Sequence, residues 1–181
     1  MTISHELKVQ PSWRFVLSHP AHFISFGFGS GLSPRAPGTM GTLMAFPLYW
    51  LLSFAPHMTL KLYLIILVWA FGIGVMVCDK TGRVLGESDY GGIVWDEIVA
   101  FLLVLFFTPM AGSFATPAAI FWNVLAFSLF RFFDIVKPPP IRHFDIHWHG
   151  GLGVMFDDIL AAGYTLLCLA LVKSLVQALL P

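Results

Sequence analysis

The stretch LYLIILVWAFGIGVMVC, Leu62 to Cys78, decides how this chain is read. It contains no charged residue and is followed at once by Asp79 and Lys80. Such a run is close to what an α-helix needs to cross about 30 Å of hydrocarbon. With no water there, the backbone must satisfy its own hydrogen bonds, which a helix does within one segment. Four further stretches have the same character. They run roughly from Gly41 to Ala55, interrupted by Pro47, from Ile93 to Thr108, from Ala118 to Phe133 and from Ile159 to Leu180. Ala21 to Phe28 is apolar but too short to span, and reads as an interfacial or re-entrant segment.

Composition agrees with this reading. Of the 181 residues 57% are hydrophobic and only 11% charged, and the mean hydropathy is +0.81. A soluble domain carries about a quarter charged residues. The expected fold is all-α: a polytopic membrane helical bundle of about five apolar helices, with its active site at the cytoplasmic face. Residues 1–19 read as an N-terminal cytoplasmic tail and 20–181 as a single membrane-embedded domain. Eighteen Phe and six Trp suit lipid-facing surfaces and interfacial belts. A net charge of +0 speaks against nucleic acid as a partner. Cys78 and Cys168 sit in apolar runs and read as small buried hydrophobes rather than a disulfide or metal pair. The N-terminus lacks the pattern of a cleavable signal peptide.

Orientation follows from Lys and Arg in the short loops. With the N-terminus cytoplasmic and sides alternating, Lys8, Arg14, Arg35, Lys80, Arg83, Arg131, Lys137 and Arg142 fall inside. Lys61 falls outside, and Lys173 in the outer part of the last span. Nine of the ten carboxylates form three clusters: Asp79, Glu87, Asp89, Asp96 and Glu97; Asp134 and Asp145; Asp157 and Asp158. The same topology brings all three to one bilayer face. Charge at that depth is costly, so it is rarely kept without a role.

Each motif has a bland and a sharp reading. The Gly-rich segment 27–41 is either a turn feeding the first span or a cradle for phosphate. In the second case Ser33, Thr39, Arg35 and backbone N–H groups ahead of a helix supply the donors. Asp96 and Glu97 near the start of the third span complement a helix dipole or ligate a metal. Being adjacent they diverge by about 100°, so one can face the site while the other faces a neighbouring helix or the headgroups. Arg131 and Asp134 are spaced i, i+3 and can simply pair. Three prolines after them are expected to hold the next segment extended, with Lys137 and Arg142 placed to grip a phosphate. Asp157 or Asp158 can cap the fifth helix after the Gly run, though not both. Hard oxygen ligands favour Mg²⁺ over Zn²⁺, despite His147 and His149. Asp89 is kept as a weak candidate, and Asp79 and Glu87 read as solvated charge.

GFGSGLSPRAPGTMGT (27–42), DYGGIVWDE (89–97), FRFFDIVKPPPIRHFD (130–145) and HGGLGVMFDDILAAG (149–163) resemble, in order and spacing, the signature segments of the phosphatidylglycerophosphatase A family. The resemblance covers roughly Pro20 to Val172; Ala161-Ala162-Gly163 departs from the family's direct Ala-Gly. It implies an Mg²⁺-dependent lipid phosphatase of the bacterial inner membrane. Such an enzyme converts phosphatidylglycerophosphate to phosphatidylglycerol and inorganic phosphate. The chemistry of that reaction assigns Asp96, Glu97, Asp134, Asp157 and Asp158 to one or two Mg²⁺ ions. Arg131, Lys137 and Arg142 would neutralise the phosphate, with Ser33 and Thr39 donating to it. Asp134 and Asp158, with Arg131 and Lys137, form the expected catalytic set, and the nucleophile is either water or a carboxylate. A cation- or proton-coupled transporter is the rival reading. The one-sided acids and the absence of a repeat weigh against it.

Overall fold

The structure is a computed structural model that describes residues 11–179 apart from Pro56 and His149, with the Asp145 side chain also left out. Lys8 and His149, and the side chain of Asp145, therefore lie outside the described residues. Among these residues the chain is helical throughout, with no strand. The helices are α1 (Trp13–Leu17), α2 (Pro20–Ser25), α3 (Pro37–Ser53), α4 (Leu60–Leu85), α5 (Trp95–Phe107), α6 (Pro117–Val136), α7 (Ile141–His147) and α8 (Gly150–Leu179), with a 3₁₀ turn at Gly27–Leu32 between α2 and α3.

The five apolar stretches are the five longest helices. Three of them, α4, α6 and α8, are long and apolar enough to cross a membrane. α3 has 17 residues with Pro47 inside it. α5 has 13, about 20 Å of rise, which is short of a bilayer's hydrocarbon. α5 is instead the centre of the bundle. Ile98, Val99, Ala100, Phe101, Leu102, Val104 and Leu105 are all buried on it, and a helix apolar all round belongs in a core. Phe101 is flanked by Phe46 of α3 and by Phe127 and Phe130 of α6, with ring centroids 5.4, 5.9 and 5.3 Å away. Tyr63 of α4 donates its hydroxyl to the Leu102 carbonyl at 2.9 Å.

Two helix boundaries differ from expectation. α4 continues through Asp79 and Lys80 to Leu85, where Gly86 closes it in the left-handed region at φ 74°. Asp79 and Arg83 pair across one turn at 2.8 Å, so Asp79 is a helix residue with an ion-pair partner. α8 starts at Gly150, ahead of Ile159. Its glycines are there for contact: a Cβ on Gly151 would strike the Val75 carbonyl of α4, and Gly74 of α4 lies against Met155 of α8. Asp157 and Asp158 are accordingly interior helix residues, and neither is an N-cap. After Lys137 the chain does not stay extended. It turns through Pro138–Pro140 and re-enters a helix at Ile141.

Residues 21–28 form a short helix and turn that do not span. They fold against the ends of α4 and α5. The Ser25 carbonyl accepts from Val94 N–H at 2.8 Å. Ser25 Oγ and His22 Nδ1 both meet the buried Thr81 hydroxyl, at 2.9 and 3.0 Å. Cys78 is buried, Cys168 is partly so, and both are free thiols. At the opposite end of the bundle, buried Asn123 closes the turn between α5 and α6. It donates to the carbonyls of Met110, Ser113 and Ala119, and accepts from Gly112 N–H.

Candidate active site

Carboxylates inside an apolar bundle need partners, and these gather around one recess. A cavity of about 360 Å³ opens where the start of α3, the 89–93 turn, the N-terminus of α5, the C-terminus of α6 and one face of α8 converge. Asp96, Glu97, Asp134, Asp157, Asp158, Arg131 and Lys137, the core of the sequence-based set, all line it. Asp89 lines it too, so the weakest of the candidates stands with the strongest.

Ser33, Thr39 and Arg142 do not line this cavity. Ser33 Oγ donates to the Arg35 carbonyl at 2.8 Å, stabilising its own turn. Thr39 is half-buried in the first turn of α3, and Arg142 is exposed on α7. The Gly-rich segment acts largely through packing. A Cβ on Gly38 would run into the Glu97 carboxylate, and one on Gly41 would meet Glu97 and Val94. These two glycines let α3 lie directly on the acidic end of α5, and Pro37 and Gly38 form part of the cavity wall.

Two ion-pair systems organise the recess. Arg131 Nη1 donates to Glu97 Oε1 at 2.8 Å and lies 2.6 Å from Asp134 Oδ2, so the i, i+3 pair also ties α6 to α5. The same nitrogen is 3.4 Å from Thr42 Oγ1 on α3. Lys137 reaches Asp157 Oδ2 of α8 at 2.5 Å. Its backbone caps α6 in the left-handed region at φ 44°, which costs a non-glycine residue about 1–2 kcal/mol. Both adjacent acids, Asp96 and Glu97, line the cavity, Glu97 doing so while it meets Arg131 of the neighbouring α6. Asp96 Oδ1 accepts from Glu97 N–H, and Asp157 Oδ1 from Asp158 N–H, each at 3.0 Å.

The wall carries six acidic groups and two cations, an acidic excess of four. Glu97 Oε2 and Asp158 Oδ2 are buried with no hydrogen-bonding partner from the protein, as is Arg131 Nε. An unsatisfied buried polar atom costs about 1–3 kcal/mol. Among the described residues no three His, Cys, Asp or Glu side chains already stand in ligating geometry. The donor type, the charge excess and the two unpartnered oxygens nonetheless fit a hard divalent cation.

Sequence reasoning missed Thr42, and read Gly38 only as part of the Gly-rich segment and not as a contact of Glu97. Thr42 lies one turn after Gly38, and its hydroxyl also donates to the Gly38 carbonyl at 3.0 Å. The only available signal was that spacing on one face of a helix start.

Comparison with known proteins agrees with the segments that build this recess. The family model described as phosphatidylglycerophosphatase A matches residues 23–173. The Escherichia coli protein named phosphatidylglycerophosphatase A is 40% identical over 161 residues, covering 89% of this chain and 88% of its own. Its Haemophilus influenzae namesake is 41% identical over 157 residues, 87% of this chain and 91% of its own. A Bacteroides thetaiotaomicron relative, provisionally named a phosphatidylinositol-3-phosphatase, is 38% identical over 155 residues, 83% of this chain and 91% of its own. No solved structure matches. The chain belongs to the phosphatidylglycerophosphatase A family.

Proposed function

We propose that this protein hydrolyses the terminal phosphomonoester of phosphatidylglycerophosphate, in the bacterial inner membrane and with its cavity toward the cytoplasm. The products are phosphatidylglycerol and inorganic phosphate. The observation that carries the reading is the recess itself: clustered carboxylates with Arg131 and Lys137, in a bundle apolar enough to span a bilayer. The activity named for the similar proteins supports the substrate. The Lys and Arg bias of the loops supports the sidedness.

Phosphate monoesters hydrolyse extremely slowly unaided, so charge neutralisation and positioning are the main tasks. Arg131, already fixed by Glu97 and Asp134, directs its guanidinium toward the phosphate oxygens. Lys137 adds a second positive charge on the α8 side. Asp158 Oδ2, the unpartnered buried oxygen of α8, accepts the proton of the attacking water. The water oxygen bonds to phosphorus and the bond to the glycerol oxygen breaks; that oxygen takes a proton from solvent, and Asp158 returns its own to solvent, so no net proton is gained or lost. Asp96, Glu97, Asp134 and Asp157 would hold Mg²⁺, with Asp158 beside them as the base; the ion when bound neutralises phosphate charge and lowers the pKa of a bound water.

The test is phosphate release from phosphatidylglycerophosphate by purified protein, with and without Mg²⁺, beside phosphatidic acid and phosphatidylinositol 3-phosphate. Loss of activity in chelator and in Asp134→Asn and Asp158→Asn is expected. Full activity in chelator or in either variant overturns the site. A labelled phosphoenzyme recovered by acid quench would replace water by a carboxylate as nucleophile.

A further inference from the structure

The recess is closed on most sides by packed helices. Between α6 and α8, Phe133 and Tyr164 approach with ring centroids 5.3 Å apart, and the Tyr164 hydroxyl donates to the Pro139 carbonyl at 2.9 Å. Between α4 and α8, the chains are in direct contact at Gly151 and Gly74, beside the recess. The side between α3 and α6 differs. Both helices pack on α5, but they make at most marginal contact with each other. The Arg131–Thr42 hydrogen bond reaches across that gap. Its rim is formed by Ala36 and Pro37 at the start of α3 and by Ile135 near the end of α6, all of which line the cavity. Ile135 is 69% exposed although it borders a polar site, and its neighbours Phe132 and Val136 are exposed as well.

A diacyl phosphomonoester poses a geometric problem that this opening solves. Its phosphate must reach Arg131 and the carboxylates while its acyl chains stay in hydrocarbon, since each CH₂ drawn into water costs about 0.8 kcal/mol. An opening with a polar interior and an apolar, exposed rim meets both demands. We propose that the lipid enters sideways between α3 and α6, over Ile135 and the Ala36–Pro37 corner, and is processed with its chains still in the bilayer. The inference rests on the lipid-phosphatase reading and names its route. A wider apolar groove of about 600 Å³ between α4, α5 and α8, floored by Val99 and Leu103 and flanked by Trp148 and Phe156, is the competing route. On α8 its lining residues Leu152, Phe156 and Ile159 point away from Asp157 and Asp158 at 100° per residue.

Two measurements test the route on the full-length protein in vesicles. The first uses a long-chain diacyl phosphomonoester with a photoreactive group at the glycerol end. After irradiation, labelled peptides are expected from residues 36–44 and 132–136. Labelling confined to 64–71 and 152–159 overturns the proposal. The second compares long-chain lipid with a short-chain, water-soluble analogue. Ile135→Trp is expected to lower the long-chain to short-chain ratio of kcat/KM about tenfold by narrowing the gap. Val124→Trp, on the lipid-exposed middle of α6, should leave that ratio unchanged. An equal loss on both substrates in Ile135→Trp, or no loss, also overturns the route. Labelling between α3 and α6 without phosphate release from either substrate would remove the phosphatase reading and leave the route standing.

Discussion

Replacing Arg131 by Met tests how the recess holds together. The Arg131 side chain is only 15% exposed, and those of its partners Glu97 and Asp134 are 13% and 12% exposed. Removing it leaves two nearly buried carboxylates without their cation, in a wall that already has an acidic excess. Breaking a buried pair costs about 3–5 kcal/mol, because the stranded charge has no solvent to return to. The partial exposure here argues for the lower end, about 3 kcal/mol. The same change removes the ion pair between α5 and α6 and the contact to Thr42. The assay is a double-mutant cycle read by thermal unfolding in detergent and by phosphate release. Adding Glu97→Gln to Arg131→Met should recover about 1–2 kcal/mol, since one stranded charge is gone. Activity should not return in the double variant. Both variants are expected to lose at least about 100-fold in kcat/KM, the scale for removing a positioned electrostatic donor. A stability loss under about 1 kcal/mol, or a double variant less stable than Arg131→Met alone, would refute the ion-pair reasoning.

Three further changes probe the parts that position the recess. Gly151→Ala puts a methyl group against the Val75 carbonyl, a backbone atom that cannot step aside; a loss of about 1–3 kcal/mol is expected, with a fall in activity because α8 must shift and carries Asp157 and Asp158. Asn123→Leu strips the partner from Gly112 N–H and from the Ser113 carbonyl, and leaves the Met110 carbonyl only Ser113 N–H. It should cost about 3 kcal/mol in unfolding yet leave kcat of the folded protein unchanged, since Asn123 lies about 16 Å along α6 from Asp134. Burial first, then the nearby His19 and Lys80, hold the His22 imidazole below its ordinary pKa of 6.5. The unfolded chain therefore takes up a proton more readily. The stability that His22 contributes is full above pH 6.5 and is lost as pH falls below it toward the depressed folded value. A melting-temperature profile of His22→Leu should show a smaller acid-side decline than the parent, and an identical profile would count against the assignment.

The apolar core of the fold was legible because lipid leaves little choice. Long uncharged runs have to be helices, and the five runs are the five longest helices. Their ends were less legible, because charge marks the edge of hydrocarbon and not the end of a helix. α4 runs on past Asp79 for that reason. Glycines mark a turn or a close approach, and only the neighbour decides; Gly151 faces Val75, so α8 begins early. Seven of the eight charged residues that line the recess could be picked out because each is anomalous in its apolar surroundings; Asp89, in a polar turn, stood out only weakly. Ser33, Thr39 and Arg142 were chosen for donor type and nearness in sequence, neither of which carries information on where a turn sends a side chain. The residues after Pro138–Pro140 form α7, and Arg142 projects from it into solvent. Thr42 and Gly38 matter through their contacts with Arg131 and Glu97, and only the packing of α3 on α5 creates those.

The short length of α5 is what joins these observations. A full span would carry Asp96 and Glu97 out to the headgroups, where water would screen them and each would be an ordinary helix-terminal charge. At 13 residues, α5 ends inside the bundle, and the longer α4, α6 and α8 rise past it. Asp157 lies seven residues into α8, about 10 Å from its start, at the level of the α5 terminus. The carboxylates thus sit at the floor of a recess and not on a rim. In such a place a charge–charge interaction is several times stronger than in water. That strength destabilises the recess when its cations are removed, and the same strength is available to a phosphate held there.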